Sequence, residues 1–193
     1  AEAAFREALA TKPTPFRTCG LRERLGVTLR LAHQPAQAMK QFQSLNDEGC
    51  LASLKESDNW RPRALAALAE AQLDSGDTTT ANVTADSAMA YARKAFPPHH
   101  FQLGIALFAQ ARARLAAGKP GEAEPLLREA LAVRNPPHPA DDPRVLEVKV
   151  ALINALTAQS RKDEAIRLRD EVGPLLQGSA SPYAADLRAQ LTA

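Results

Sequence analysis

The chain has little of what several functions would require. Aromatic residues make up 5% of its 193 residues, so nucleobases would find few rings to stack on. Basic and acidic side chains nearly balance, 24 against 22, for a net charge of +2. That leaves no basic stripe of the kind that follows a phosphate backbone. No apolar run approaches the ~20 residues that a membrane span needs. No charged-then-apolar leader resembles a secretory signal. Because the chain begins with Ala1 and in the middle of a pattern, that last absence says little about a parent protein. No segment alternates polar and apolar residues between turn signals, so no sheet is expected. There is no Gly-rich phosphate loop, nucleophile elbow or pair of catalytic carboxylates in a suitable context. The histidines, His33, His99, His100 and His138, sit at turns or helix starts rather than at ligand spacing. The expectation is therefore no enzyme, no cofactor and no metal.

What is present is a phased repeat. Gly76, Gly118 and Ser160 stand 42 residues apart (76 to 118, 118 to 160), and each is followed five residues later by an alanine: Ala81, Ala123 and Ala165. Cap-like starts at Asp58, His100 and Asp142 share the period. A fixed period of this length means stacked helix hairpins, each burying its apolar face against its neighbours. The 45% hydrophobic and 24% charged composition suits such a folded array.

Read along the chain, residues 1–12 look like the back half of a repeat, with Phe5, Ala8 and Leu9 at helical spacing. Thr14 is a candidate cap for a helix opening on Pro15. Hairpins are expected at about 15–49, 59–95, 100–134 and 143–176, with a C-terminal capping helix at about 182–192. Their turns are His33-Gln34-Pro35, Gly76-Asp77, Gly118-Lys119-Pro120 and the segment around Ser160. Pro97-Pro98 ends the second hairpin, and Pro136, Pro137 and Pro139 force an irregular link after the third. The whole chain reads as one all-α array.

These residues resemble a tetratricopeptide repeat (TPR). Gly118, Ala123, Leu127, Ala130 and Leu131 have the spacing of that family's turn and second helix, and Leu25-Gly26 matches its Leu-Gly pair. The stretch from Gly118 to Leu131 is similar to the 42-residue kinesin light chain-like version common in bacteria. Asp142-Pro143-Arg144-Val145 stands where that version has a His-Pro-x-Val helix start. The light-chain asparagine pair is absent, and Leu29, Gln72, Arg114 and Leu156 replace the usual first-helix aromatic. A HEAT-like array has a similar period, but the Gly-x4-Ala spacing argues against it.

The resemblance implies an α–α superhelix whose first helices line a concave groove that binds a partner peptide or helix. Carried over position by position, the groove residues are Arg63, Glu70, Ile105, Phe108, Arg112, Leu115, Val150 and Asn154. The favoured reading is that Ile105, Phe108 and Leu115 form an exposed apolar strip beside Arg112 and Asn154. The competing one is that the helix is rotated and the strip is core, a view that Gln110 and Arg114 at normally buried positions support. The positions of the family's carboxylate clamp hold no suitable cations, so no chaperone-tail clamp is expected.

Cys19 and Cys50 lie symmetrically about the His33-Gln34-Pro35 turn. A disulfide would form if the domain lies outside the cytoplasm. The simpler reading, favoured on spacing alone, is two separate packed thiols. The expected function is a protein–protein interaction scaffold. The alternatives are a regulatory region of a larger bacterial serine/threonine kinase or transcription regulator, and a self-association module that dimerises through the N-terminal partial repeat. Its partner is expected to be another protein, not nucleic acid or membrane. The expected location is cytoplasmic, or periplasmic if the parent spans a membrane.

Overall fold

The computed structural model describes residues 1–47, 50, 60–100, 102–134, 139–178 and 182–192. Among these residues are ten α-helices and no strand, so the fold is all-α, a set of helix hairpins. The helices are α1 (Glu2–Ala10), α2 (Pro15–Leu31), α3 (Pro35–Asp47), α4 (Trp60–Asp74), α5 (Thr78–Ala95), α6 (Leu103–Ala116), α7 (Pro120–Arg134), α8 (Pro143–Ala158), α9 (Lys162–Gln177) and α10 (Pro182–Thr192). The expected cap Asp58, the Pro136-Pro137 link and His138 lie outside the described residues. The helices gather into two compact units, Ala1–Phe96 and Pro97–Ala193.

One turn geometry recurs four times. His33, Gly76, Gly118 and Ser160 all have left-handed backbone, with φ of 56°, 84°, 72° and 63°. The amide after each reaches back five residues: Gln34 to Leu29, Asp77 to Gln72, Lys119 to Arg114 and Arg161 to Leu156, each at 2.9 Å. These are Schellman-type helix ends, which satisfy carbonyls that the last helical turn leaves open. Glycine supplies this conformation without a Cβ penalty, which explains Gly76 and Gly118; His33 and Ser160 adopt it at a cost.

Helix starts are set by short side chains and proline. The Asp77 carboxylate accepts from the Thr80 amide at 3.0 Å, and hydrogen bonds from the Thr80 side chain and amide hold its pKa below the usual aspartate value. Asp142 accepts from the Arg144 amide at 2.8 Å, with Pro143 in the first helical turn. Thr14 does not cap in the expected way. Its side chain makes no cap bond, and the Thr18 hydroxyl donates instead to the Pro13 and Thr14 carbonyls.

Five residues beyond each left-handed turn stands a buried alanine: Ala38, Ala81, Ala123 or Ala165. A methyl group there lets the second helix of a hairpin lie close on the first. In the N-terminal unit, α1 packs on α2, α2 on α3, α3 on α4, α4 on α5, and α2 on α4. Its core centres on Leu25, Leu29, Phe42 and Leu45. Gly26 faces the Phe42 ring so closely that a Cβ would lie 2.7 Å from Cζ, which accounts for glycine after Leu25. In the C-terminal unit, α6 packs on α7, α7 on α8, α8 on α9, and α10 on both α8 and α9. Helix α8 is central, burying Val145, Val148, Val150, Ile153 and Leu156. No helix among the described residues is long and apolar enough to cross a membrane.

Candidate interaction surface

In each unit the first helices of successive hairpins lie side by side, α2 with α4 and α6 with α8. The sequence-predicted groove residues stand on these helices.

In the N-terminal unit the α2–α4 face is built from ion pairs. Arg63 Nη2 lies 3.2 Å from Glu23 Oε1, and Glu23 is buried. Arg30 Nη1 lies 3.3 Å from Glu70 Oε2 and 3.2 Å from Asp74 Oδ2. Glu70 is 6% exposed. Arg63 and Glu70 are therefore engaged with α2 rather than held as bare charges. These ion pairs leave the face polar and hold its side chains in place.

In the C-terminal unit the face divides in two. Phe108 is 9% exposed and Val150 is fully buried, so neither lies in an open strip. The cause at Phe108 is Arg134, at the end of α7, whose guanidinium carbon lies 5.3 Å from the ring centroid. Arg134 is itself buried, and donates to Glu147 Oε1 at 2.6 Å and to the Arg144 carbonyl at 2.5 Å. The other Glu147 oxygen accepts from the Tyr183 hydroxyl of α10. A cation over an aromatic face, closed by a carboxylate, is favourable when desolvated. Gly104 makes room for it, since a Cβ there would meet Arg134 Cγ at 2.6 Å and Nε at 2.8 Å. Val150 is covered because α8 is packed on several sides. On the same helices Ile105, Arg112 and Leu115 of α6 are half-buried, and Asn154 and Thr157 of α8 are exposed. Arg114 is half-buried too, and its side chain crosses the hairpin to Glu122 at 3.2 Å.

A second polar cluster locks the two hairpins of this unit together. Glu124 on α7 accepts from Arg161 Nη1 at 2.6 Å, from Arg128 at 2.8 Å and from Gln159 at 2.9 Å. Desolvation pushes the Glu124 carboxyl up, but hydrogen bonds from Arg128, Gln159 and Arg161 outweigh it and bring the pKa to about 2. Arg161 also grips Glu164 in the first turn of α9.

Cys19 and Cys50 are joined by a disulfide, with Cα atoms 5.8 Å apart. They are not the two separate thiols that spacing alone favoured. Residues separated by 31 positions in sequence come together because α3 folds back along α2. Among the described residues no cluster of histidine, cysteine, aspartate or glutamate could hold a metal ion. His33 and His99 occupy left-handed turns, and the His100 ring accepts from the Gln102 amide.

The architecture is that of TPR-like helical repeats. The chain is similar in structure to a single-substitution form of the nearly identical TPR-like repeats of a Podosopora anserina protein described as a kinesin light chain. The TM-score is 0.71 at 20% identity, over 93% of this chain and 85% of that one. A second structure of those repeats gives 0.70 at 20% identity, over 92% and 84%. RapI in its apo form gives 0.66 at 12% identity, over 97% of this chain and 51% of RapI. At these identities the likeness is one of fold. No family model and no curated protein matches the sequence.

Proposed function

We propose that the chain is a protein-interaction module that holds a segment of a partner protein against the first helices of its hairpins. The contact is centred on α6 and α8. The observation carrying this reading is the mixed surface left on two otherwise tightly packed helices. Ile105 and Leu115 offer apolar contact, and Asn154 and Thr157 hydrogen-bonding groups. Phe108 and Val150 lie buried in the same helices and hold them rigid. A preformed surface of this kind binds with little backbone rearrangement. Arg63 and Glu70 would meet a partner only by exchanging their present ion pairs, which makes them selectivity elements rather than anchors.

The test is affinity capture with the intact chain and with a Leu115→Glu, Asn154→Lys double variant. A protein retained by the first and lost from the second, with unchanged far-UV helicity, supports the reading. Equal retention by both would remove α6 and α8 from the contact.

A further inference from the structure

Cys19 and Cys50 are the chain's only cysteines, and both are buried as members of the core cluster that also holds Leu25, Leu29, Phe42 and Leu45. It links the first turns of α2 to a point just beyond α3, and so closes the α2–α3 hairpin at the end opposite the His33 turn. This hairpin holds the unit together. Among the described residues of 1–96, the largest fully buried side chains are Phe42, Leu25, Leu29 and Leu45, all on α2 and α3. Helices α4 and α5 bury chiefly alanines and Met89. The same α2 carries Glu23 and Arg30, the partners that order Arg63, Glu70 and Asp74.

We propose that the Cys19–Cys50 bond makes the charged α2–α4 face redox-conditional: closed when the unit folds in an oxidising compartment, looser when it folds under reducing conditions. Its formation takes two electrons and two protons from the two thiols. A small-molecule or protein disulfide, RSSR, accepts them and leaves as two RSH. Reduction by a dithiol runs the other way: each Sγ regains a proton, and the dithiol closes into its own disulfide. Burial shields both sulfurs from an attacking thiolate, so exchange waits for the hairpin to open. Oxidation therefore sets the state when the unit folds, and that state then persists. The compartment that keeps such a bond lies outside the reducing cytoplasm. This proposal does not depend on the interaction reading, because its readout is the backbone itself.

The experiment compares amide hydrogen exchange in the intact oxidised chain with the same chain unfolded and refolded in dithiothreitol. A Cys19→Ala, Cys50→Ala variant serves as a second, reductant-free arm. Opening a cross-link of this loop length should speed exchange in residues 15–47 and 60–74 by about two to three powers of ten. Residues 103–177 should keep their rates in both arms. Unchanged exchange in α2, α3 or α4 would overturn the proposal, as would uniform acceleration throughout the chain.

Discussion

Replacing Gly104 by alanine tests the buried network of the C-terminal unit by a change of one methyl group. Glycine in a helix is up to about 1 kcal/mol worse than alanine, the full amount applying to the interior rather than to the first turn where Gly104 stands, so helix propensity alone predicts a variant at least as stable. The structure predicts the opposite. The new Cβ would lie 2.6 Å from Arg134 Cγ and 2.8 Å from Nε, which are stem atoms rather than a mobile tip. Arg134 must move, and its bonds to Glu147 and to the Arg144 carbonyl stretch or break. Stranding a buried charge costs about 3–5 kcal/mol. Set against the propensity gain, the net loss is about 2–4 kcal/mol. For a unit of roughly 100 residues this lowers Tm by about 10 °C or more. The assay is thermal unfolding followed by far-UV circular dichroism. Gly20→Ala in α2 is the matched control, since nothing lies within 4 Å of its added Cβ, and it should hold or raise Tm. A Gly104→Ala variant as stable as wild type would refute the packing argument for Arg134.

Other consequences follow from the same contacts. The Glu124 pKa is depressed to about 2, so its stabilising effect is complete above the unfolded value near 4.5 and fades as pH falls toward 2. Glu124→Gln should flatten urea-measured stability across that window, with little change in slope above about pH 6; an unaltered acid limb would count against the network. Gly26→Ala should destabilise despite its better helix propensity, because the Phe42 ring occupies the space, and a urea titration reads this directly. Ser160→Gly should stabilise by up to about 1 kcal/mol, since φ of 63° suits glycine; a lower Tm would show that the serine side chain contributes to the turn. Ala123→Leu should cost about 1–3 kcal/mol by forcing apart the helices of its hairpin, and size-exclusion elution with a melt would show it.

The fold was legible because helix punctuation was chemical. Gly76 and Gly118 mark left-handed helix ends, Asp142-Pro143 marks a helix start, and alanines at fixed offsets mark close helix contact. His33 and Ser160 fill the same backbone role, and only their place in the period betrays them. The candidate surface was less legible, because exposure depends on residues from other helices. Phe108 has apolar-strip spacing, yet Arg134, twenty-six positions later, covers it. A glycine in the first turn of α6 was the available signal that another group approaches there, and Gly104 is that residue. Glu70 reads as an exposed acid from its own helix and becomes buried only once Arg30 of α2 is placed beside it. Separate thiols were the favoured reading of Cys19 and Cys50, because equal distance from a turn brings chain ends near each other without fixing their geometry, and the structure overturns it.

The most direct test of the interaction reading is site-specific photo-crosslinking in the source cell. A photoreactive residue is placed at Asn154, exposed on α8, and separately at Ile166, exposed on the second helix of the same hairpin. Partner adducts at position 154 and none at 166 are the expected result. Adducts at 166 alone, or equally at both positions, would contradict binding along the first helices.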